Sequence, residues 1–207
     1  MTTDDGRAEL LRRLCDYAAK HPPSAPDGLS VSTLLQAYYQ HAAYEDLSER
    51  SEIDLYGGAA HHLRTGTERP QGTATVRILT PTVSDDGWSA DGHTVVEVVT
   101  DDMPFLVDSV TMALDEGGHA VHVVLHPQLV VRRDVAGHLQ DVLAPDAAHD
   151  LEAHDVGRES WMHLEIDRIG PGEAAELTAR LEKVLTDVRE AVEDWSRMHD
   201  RLDALVA

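Results

Sequence analysis

The spacing of apolar residues changes near residue 70 of the chain. Before this point they recur every three or four positions, which is typical of amphipathic helices. The helical stretches are 7–20, 31–43 and 45–65, and a Pro- and Gly-rich linker occupies 22–29. The sequence therefore predicts a helical segment over 1–70, and its modest apolar content indicates that it packs on another part of the protein.

Beyond residue 70 the apolar positions alternate with period two, as in strands that bury one face. Strands are predicted at 73–80, 94–100, 119–133 and 160–168. The second has Val on both faces, which is typical of a central strand. A helix is predicted after it, with Asp102 as its N-cap and Gly117-Gly118 at its end. Residues 134–157 are interpreted as a polar loop or a weak hairpin.

The last predicted element is a long helix that begins at Gly170-Pro171-Gly172. Its apolar positions are separated by alternating steps of four and three residues, the pattern of a helix packed along another helix. They are Leu177, Leu181, Val184, Val188, Ala191, Trp195, Met198, Leu202 and Leu205. Because the pattern is still running at the last residue, we expect either a longer protein or pairing of this helix between subunits.

The order strand, strand, helix, strand, strand, helix resembles a split βαβ unit whose final strand is missing. A hairpin of 73–80 with 94–100 would fill the place of that strand. The prediction is an α+β fold: a four-stranded antiparallel sheet with two helices on one face, preceded by the helical segment 1–70. The domain 71–207 ends in the long helix. The other face of the sheet is expected to present His122, His126, His163 and Glu165.

Charge and cysteine content narrow the partners and the compartment. There are 17 Lys and Arg against 38 Asp and Glu, a formal charge of −21, so neither nucleic acid nor an anionic membrane is an expected partner. The single cysteine, Cys15, forms no internal disulfide. The sequence shows no secretory signal and no apolar run of the ~20 residues that span a bilayer. We therefore expect a cytoplasmic protein.

Candidate chemistry is sparse. The 13 histidines are interpreted as scattered surface residues rather than a metal site, because zinc needs three or four converging ligands. Asp101, Asp102 and Asp108 are interpreted as capping and helix-dipole residues rather than acid–base catalysts. The G-x-G-x-x-A motif at 170–175 lacks the following strand of a dinucleotide site. We thus predict no catalytic, cofactor-binding or metal residues; a metalloenzyme built on the histidines remains an alternative.

Five blocks of this sequence resemble the N-terminal region of the large bacterial NAD-specific glutamate dehydrogenases. They keep their order along the chain and are Asp54–Gly57, Arg69–Arg77, Asp101–Val110, His126–Gly137 and Glu159–Ile166. The resemblance implies a much longer chain with N-terminal ACT-like modules, hence an ACT/ferredoxin-like sheet here. A later domain would oxidise L-glutamate to 2-oxoglutarate and ammonia with NAD, so that the catalytic lysine and the nicotinamide site lie outside this chain.

The resemblance also implies partners and an effector site. The expected partners are the downstream domains of the same polypeptide, further copies of the parent protein in a homo-oligomer, and an amino-acid effector. The candidate effector-binding residues are Asp102, Met103, Phe105, Gly118 and His119. Met103-Pro104-Phe105 departs from the Pro-Gly of many effector-binding ACT domains, and the Phe105 side chain narrows the space for a ligand. The implied function is a non-catalytic regulatory and assembly region; the alternative is a stand-alone amino-acid sensor.

Overall fold

The structure, a computed structural model, describes residues 3–26, 28–144 and 153–206. Four helices come first and confirm the helical character of this part of the sequence. Ser30 and Ser51 begin the second and the fourth, because each side-chain oxygen accepts a backbone N–H in the first turn. The helices are α1 (Thr3–Lys20), α2 (Val31–Tyr39), α3 (Tyr44–Ser48) and α4 (Glu52–Thr65).

One antiparallel sheet follows, with strand order β1-β2-β6-β4-β5 and with β3 also paired to β6. The strands are β1 (Thr75–Leu79), β2 (Thr94–Asp101), β3 (Val121–Leu125), β4 (Gln128–Arg133), β5 (Leu139–Leu143) and β6 (Val156–Ile166). The helices among and after them are α5 (Val83–Asp86), α6 (Leu106–Glu116) and α7 (Pro171–Val206). The predicted hairpin is confirmed, since β1 pairs with β2 from Thr75↔Val99 to Leu79↔Val95.

The sheet has six strands rather than the four that were expected. Strands β3 and β4 lie on the same side of β6 in one continuous register, as the pairs Leu125↔His163 and Gln128↔Ser160 show. Between them the Trp161 N–H donates to the Pro127 carbonyl over 2.9 Å. The predicted strand 119–133 is thus interrupted at its proline, which has no N–H to donate. The other strand beyond the expected four is β5, which forms a hairpin with β4.

Helices cover both faces of the sheet. On one face α6 and α7 pack on Val96, Val98, Met162, Leu164 and Ile166. On the other face the N-terminal helices form a second apolar layer with Val99, Leu129 and Trp161. The expectation of an exposed polar face was wrong for His163 and Glu165, which are buried beneath the N-terminal helices together with Glu97. Their polar atoms are accommodated there by hydrogen bonds and ion pairs, as buried polar groups require. His122 is exposed, as expected.

Helix α7 is one helix of 36 residues. Its first half buries Leu177, Leu181 and Val188 against the sheet and α6, so the predicted apolar stripe packs there on two elements. Farther along, Trp195 and Met198 are exposed, and the side chains of Leu202 and Leu205 lie outside the described residues. No helix in the described part of the chain is sufficiently long and apolar to span a membrane.

Candidate functional site

The five candidate effector residues lie at the two ends of α6. Asp102, Met103 and Phe105 precede its first residue, whereas Gly118 and His119 follow its last. A helix of eleven residues is about 16 Å long, so one chain does not bring the two groups together. His119 is buried, with its Nδ1 3.9 Å from the Glu173 carboxylate at the start of α7.

The predicted N-cap role of Asp102 was wrong. Helix α6 begins at Leu106, and its cap residue is Phe105, which has a left-handed backbone (φ 70°) and makes no capping hydrogen bond through its side chain. The Asp102 carboxylate instead accepts the Gln128 side-chain amide at 2.9 and 3.1 Å. A non-glycine residue in this conformation is uncommon and strained. Phe105 nevertheless keeps its ring 68% exposed.

The motif at 170–175 forms the start of α7. The Gly170 carbonyl accepts the Ala174 N–H at 2.9 Å, the first hydrogen bond of the helix. Helix α7 then continues to Val206, so within the described residues no strand follows it to carry a ribose-binding acid. Gly170 thus supplies the carbonyl that begins the helix, and Gly172 lies in its first turn.

The histidines that the sequence placed on one face do not converge. His122 is at the surface, 2.8 Å from the Asp167 carboxylate, and its ring stacks on His93. His126 bonds the Ser160 hydroxyl, and burial lowers the pKa of its imidazole. Of these three histidines, His163 alone belongs to a buried group of ionisable side chains. The other members of that group are described next.

We call this group the histidine–carboxylate cluster; it comprises His61, His62, Glu97, His163 and Glu165. Glu97 of β2 and His163 of β6 are directly paired across the sheet. Helix α4 lies above them and supplies the two adjacent histidines. His61 Nδ1 lies 2.9 and 3.0 Å from the two oxygens of Glu97. One donor atom each of His62, Glu97 and His163 lie within 4.8 Å of one another, and all three residues are buried.

His62 is held from both sides. Its Nε2 is 3.3 Å from the Val98 carbonyl, which can only accept, so this nitrogen donates. Its Nδ1 is 2.7 Å from the Tyr38 hydroxyl. Burial lowers the pKa of His62 to about 4 and raises that of Tyr38 well above its usual value. Both groups are therefore neutral near pH 7.

The second carboxylate of the cluster is tied to a guanidinium. Arg50 donates to both oxygens of Glu165, at 2.5 and 2.7 Å. His163 Nε2 lies 3.3 Å from the same carboxylate. Burial alone would raise the pKa of Glu165, but the hydrogen bonds from His163 and Arg50 lower it to about 2. A cavity of about 20 Å³ adjoins this pair, enough for one water molecule.

A second buried network joins the sheet to its surroundings. Glu159 of β6 accepts from Arg69 and from Arg133, with shortest distances of 2.6 Å to each. Asp101 accepts from Arg69 and from Arg189 of α7, both at 2.7 Å. Each carboxylate is paired, so this network is interpreted as structural. It links β2, β4, β6 and α7 at one end of the sheet.

The sequence contained one signal for the histidine–carboxylate cluster. Glu97 is the only charged residue in the run Thr94–Thr100, which is otherwise Val and Thr. A carboxylate inside a buried strand needs a partner, and that requirement points to a specific site. His62, by contrast, was interpreted with the other histidines as a scattered surface residue, whereas it is completely buried.

A groove of about 380 Å³ lies between α6 and α7. Its lining includes Phe105, Met112, Val184, Val188 and Ala191. Met112 is 60% exposed, and the neighbouring Phe105 is exposed as well. Two large apolar side chains beside an apolar groove are typical of a contact surface.

The fold and these sites define an α+β protein with one antiparallel sheet and a long C-terminal helix. A family model described as "Glutamate dehydrogenase, ACT1 domain" matches residues 34–181, most of the chain, and the chain belongs to this family. The resemblance noted in the sequence is thereby confirmed.

Two curated relatives are both described as NAD-specific glutamate dehydrogenases. The chain is 33% identical over 204 residues, 98% of its length, to the NAD-specific glutamate dehydrogenase of Halomonas elongata. It is 33% identical over 169 residues, 81% of its length, to the NAD-specific glutamate dehydrogenase of Pseudomonas aeruginosa. The matched region is 12% and 10% of those proteins, so the chain spans about a tenth of the relatives it matches. No solved structure matches the chain.

Proposed function

We propose that this chain is the non-catalytic N-terminal regulatory and assembly region of a large NAD-dependent glutamate dehydrogenase. The whole protein would oxidise L-glutamate to 2-oxoglutarate and ammonia with NAD in the cytoplasm, as a homo-oligomer. The observation that carries the proposal is the match to the ACT1 domain family, in a chain that spans about a tenth of its dehydrogenase relatives.

The sheet topology supports an ACT-like interpretation. Strand β2, helix α6, the β3–β4 strand, β6 and α7 follow one another in the split βαβ order. β2 and β6 are the central pair, and β1 occupies the margin where the fourth strand of that unit would lie. On this view β5 and helices α1–α4 are additions to an ACT/ferredoxin-like sheet. The division into 1–70 and 71–207 would then separate the helical addition from the ACT-like unit.

The groove between α6 and α7 supports the assembly role. We assign it to the downstream part of the same polypeptide, because the relatives are about ten times longer than this region. A charged substitution at Met112 should weaken that contact without disturbing the core, since this side chain is exposed. Val135, which is fully exposed on the β4–β5 turn, offers a matched control position.

The test uses the full-length dehydrogenase that contains this region. Met112→Asp should alter its assembly, seen as a changed molecular mass by light scattering, or lower its glutamate-dependent reduction of NAD. Val135→Asp should leave both unchanged. Identical behaviour of the two variants would remove the assembly role. The isolated 207-residue chain should show no NAD reduction with glutamate, and turnover by it would contradict the non-catalytic assignment.

The effector site is a separate part of the proposal. Asp102, Met103 and Phe105 at one end of α6 and Gly118 and His119 at the other would each contribute half of a site at a domain–domain contact. Calorimetric titration of the full-length protein with single amino acids is the direct test. Binding that Asp102→Asn abolishes would support it, because this exchange removes a charge and keeps the shape of a candidate side chain. The absence of heat with every amino acid would remove the effector.

A further inference from the structure

We propose that His62, Glu97 and His163 bind a divalent transition-metal ion, with Zn²⁺ as the best-matched ion, between α4 and the sheet. Three residues from three elements place one donor atom each within 4.8 Å of one another in the interior. Two imidazoles and one carboxylate are a ligand set that zinc uses where a fourth position is left open. Ca²⁺ and Mg²⁺ instead prefer oxygen ligands alone.

The charge of the cluster calls for a cation. Glu97 is 0% exposed, and its hydrogen-bond partners in the described structure are His61 and the Thr65 hydroxyl. Among the described residues no lysine or arginine pairs with Glu97, and the nearby Arg50 is bound to both oxygens of Glu165. A buried carboxylate is very costly unless a positive charge compensates it. A metal ion at Glu97 provides that charge, which His61 supplies only when its imidazole is protonated.

One ring nitrogen of His163 is unsatisfied. Within the described residues its Nδ1 is buried without a hydrogen-bond partner, whereas its Nε2 lies 3.3 Å from the Glu165 carboxylate. A histidine that ligates a metal usually donates its other N–H to a carboxylate or a carbonyl, which orients the ring. The Glu165–His163 pair has this arrangement, and Arg50 holds Glu165 in turn. The free Nδ1 is therefore the metal-binding atom of His163.

The other two ligands also have supporting groups. Val98 offers its carbonyl to His62, and Thr65 fixes the Glu97 carboxylate at 2.5 Å. Ligand atoms around a tetrahedral zinc ion lie roughly 3.3 Å apart, so the three groups move together on binding. His62 then gives up one of its present hydrogen bonds, to Tyr38 or to Val98.

In the experiment, zinc chloride is added to the chelator-treated 207-residue chain in an excess of magnesium, and calorimetry measures the heat of binding. One equivalent should bind tightly and raise the melting temperature. His163→Gln should weaken this binding by 100-fold or more, whereas His122→Gln, at a surface histidine, should leave it unchanged. Equal weakening by both variants, or no effect of His163→Gln, would assign zinc to the acidic surface and overturn the proposal.

A second measurement needs no variant and therefore does not depend on whether His163→Gln folds. Cobalt(II) chloride added to the wild-type chain should give the visible absorption bands of a tetrahedral ion, and one equivalent of zinc should displace them. Octahedral cobalt absorption alone would reject a buried site with two histidines. Neither result bears on the regulatory role, so the two proposals stand or fall separately.

Discussion

The Arg69 guanidinium lies against the Glu159 carboxylate, with Nη2 2.6 Å from Oε1, although the residues are 90 positions apart. Both side chains are almost completely buried, 3% and 2% exposed. The same guanidinium donates to Asp101 and to the Thr73 carbonyl. It thereby fixes the segment after α4 to β2 and β6, on the sheet face that carries the histidine–carboxylate cluster.

Arg69→Met should lower the free energy of unfolding by about 3 kcal/mol, because it leaves the buried Glu159 carboxylate with Arg133 as its remaining cation. Urea unfolding measures this change. Arg12→Met is the matched control, since Arg12 forms only exposed pairs with Glu9 and Asp16. Its effect should be much smaller, because solvent screens exposed ion pairs and they contribute little to stability. Similar losses in the two variants would mean that the Arg69 network contributes no more to the free energy of unfolding than exposed ion pairs do.

Acid should destabilise the protein through the same network. Burial raises the pKa of Glu159, but Arg133 and Arg69 lower it below its usual value; Arg69 and Arg189 overcome burial in the same way at Asp101. A carboxyl with a lowered folded-state pKa adds stability that is complete above its unfolded pKa and is lost as the pH falls through its folded pKa.

The free energy of unfolding should therefore fall as the pH is lowered below about 4, where unfolded carboxyls begin to take up protons. Urea unfolding between pH 7 and pH 3 measures the slope. Glu159→Gln should be less stable at pH 7 and show a shallower loss in acid. Parallel curves for the variant and the wild type would argue against a contribution from Glu159.

Two adjacent glycines of α4 should respond oppositely to the same substitution. A Cβ at Gly57 would lie 2.3 Å from Trp88 Cβ and Cγ, whereas at Gly58 the nearest outside atom is 3.5 Å away. Gly57→Ala should cost about 1–3 kcal/mol through overpacking. Gly58→Ala should gain up to about 1 kcal/mol from helix propensity. Thermal unfolding gives both values, and a shared sign would refute the packing of Trp88 on Gly57.

Phe105→Gly should stabilise the isolated chain by about 1 kcal/mol, because glycine adopts the left-handed conformation at φ 70° without strain. Little packing is lost, since the ring is mostly exposed. Asp91→Gly, at φ 53°, should change the melting temperature less, because aspartate tolerates this conformation better. A lower melting temperature for Phe105→Gly would mean that its ring contributes to the fold itself.

Local patterns predicted much of the fold. Alternation placed β1 beside β2 correctly, because a hairpin is specified by neighbouring residues. The same alternation led to the wrong prediction that His163 and Glu165 face solvent, because polar residues at alternate positions of a strand usually lie on its exposed face. Their burial depends on helices more than 90 residues earlier, and the guanidinium that pairs with Glu165 comes from Arg50, between α3 and α4. Long-range pairs of this kind have no local signature.

For the candidate sites as well, local features were predicted and long-range contacts were not. The loop before α6 was located by its motif, but the left-handed backbone of Phe105 was not, because helix-start rules favour the nearby aspartates. The histidine–carboxylate cluster unites α4, β2 and β6, and its members have no fixed spacing in sequence. Only the lone Glu97 in a Val-rich strand indicated it.

The alternation of apolar and polar side chains along β6 also disfavours an incorrect strand register. Met162, Leu164 and Ile166 face one helical layer, while Glu159, His163 and Glu165 face the other. A shift of β6 by one residue would exchange the two sets and drive two carboxylates and an imidazole into an aliphatic layer that offers them no partners. Glu159, His163 and Glu165 thus make the shifted register unfavourable, and so they help to specify how the central strand pairs with its neighbours.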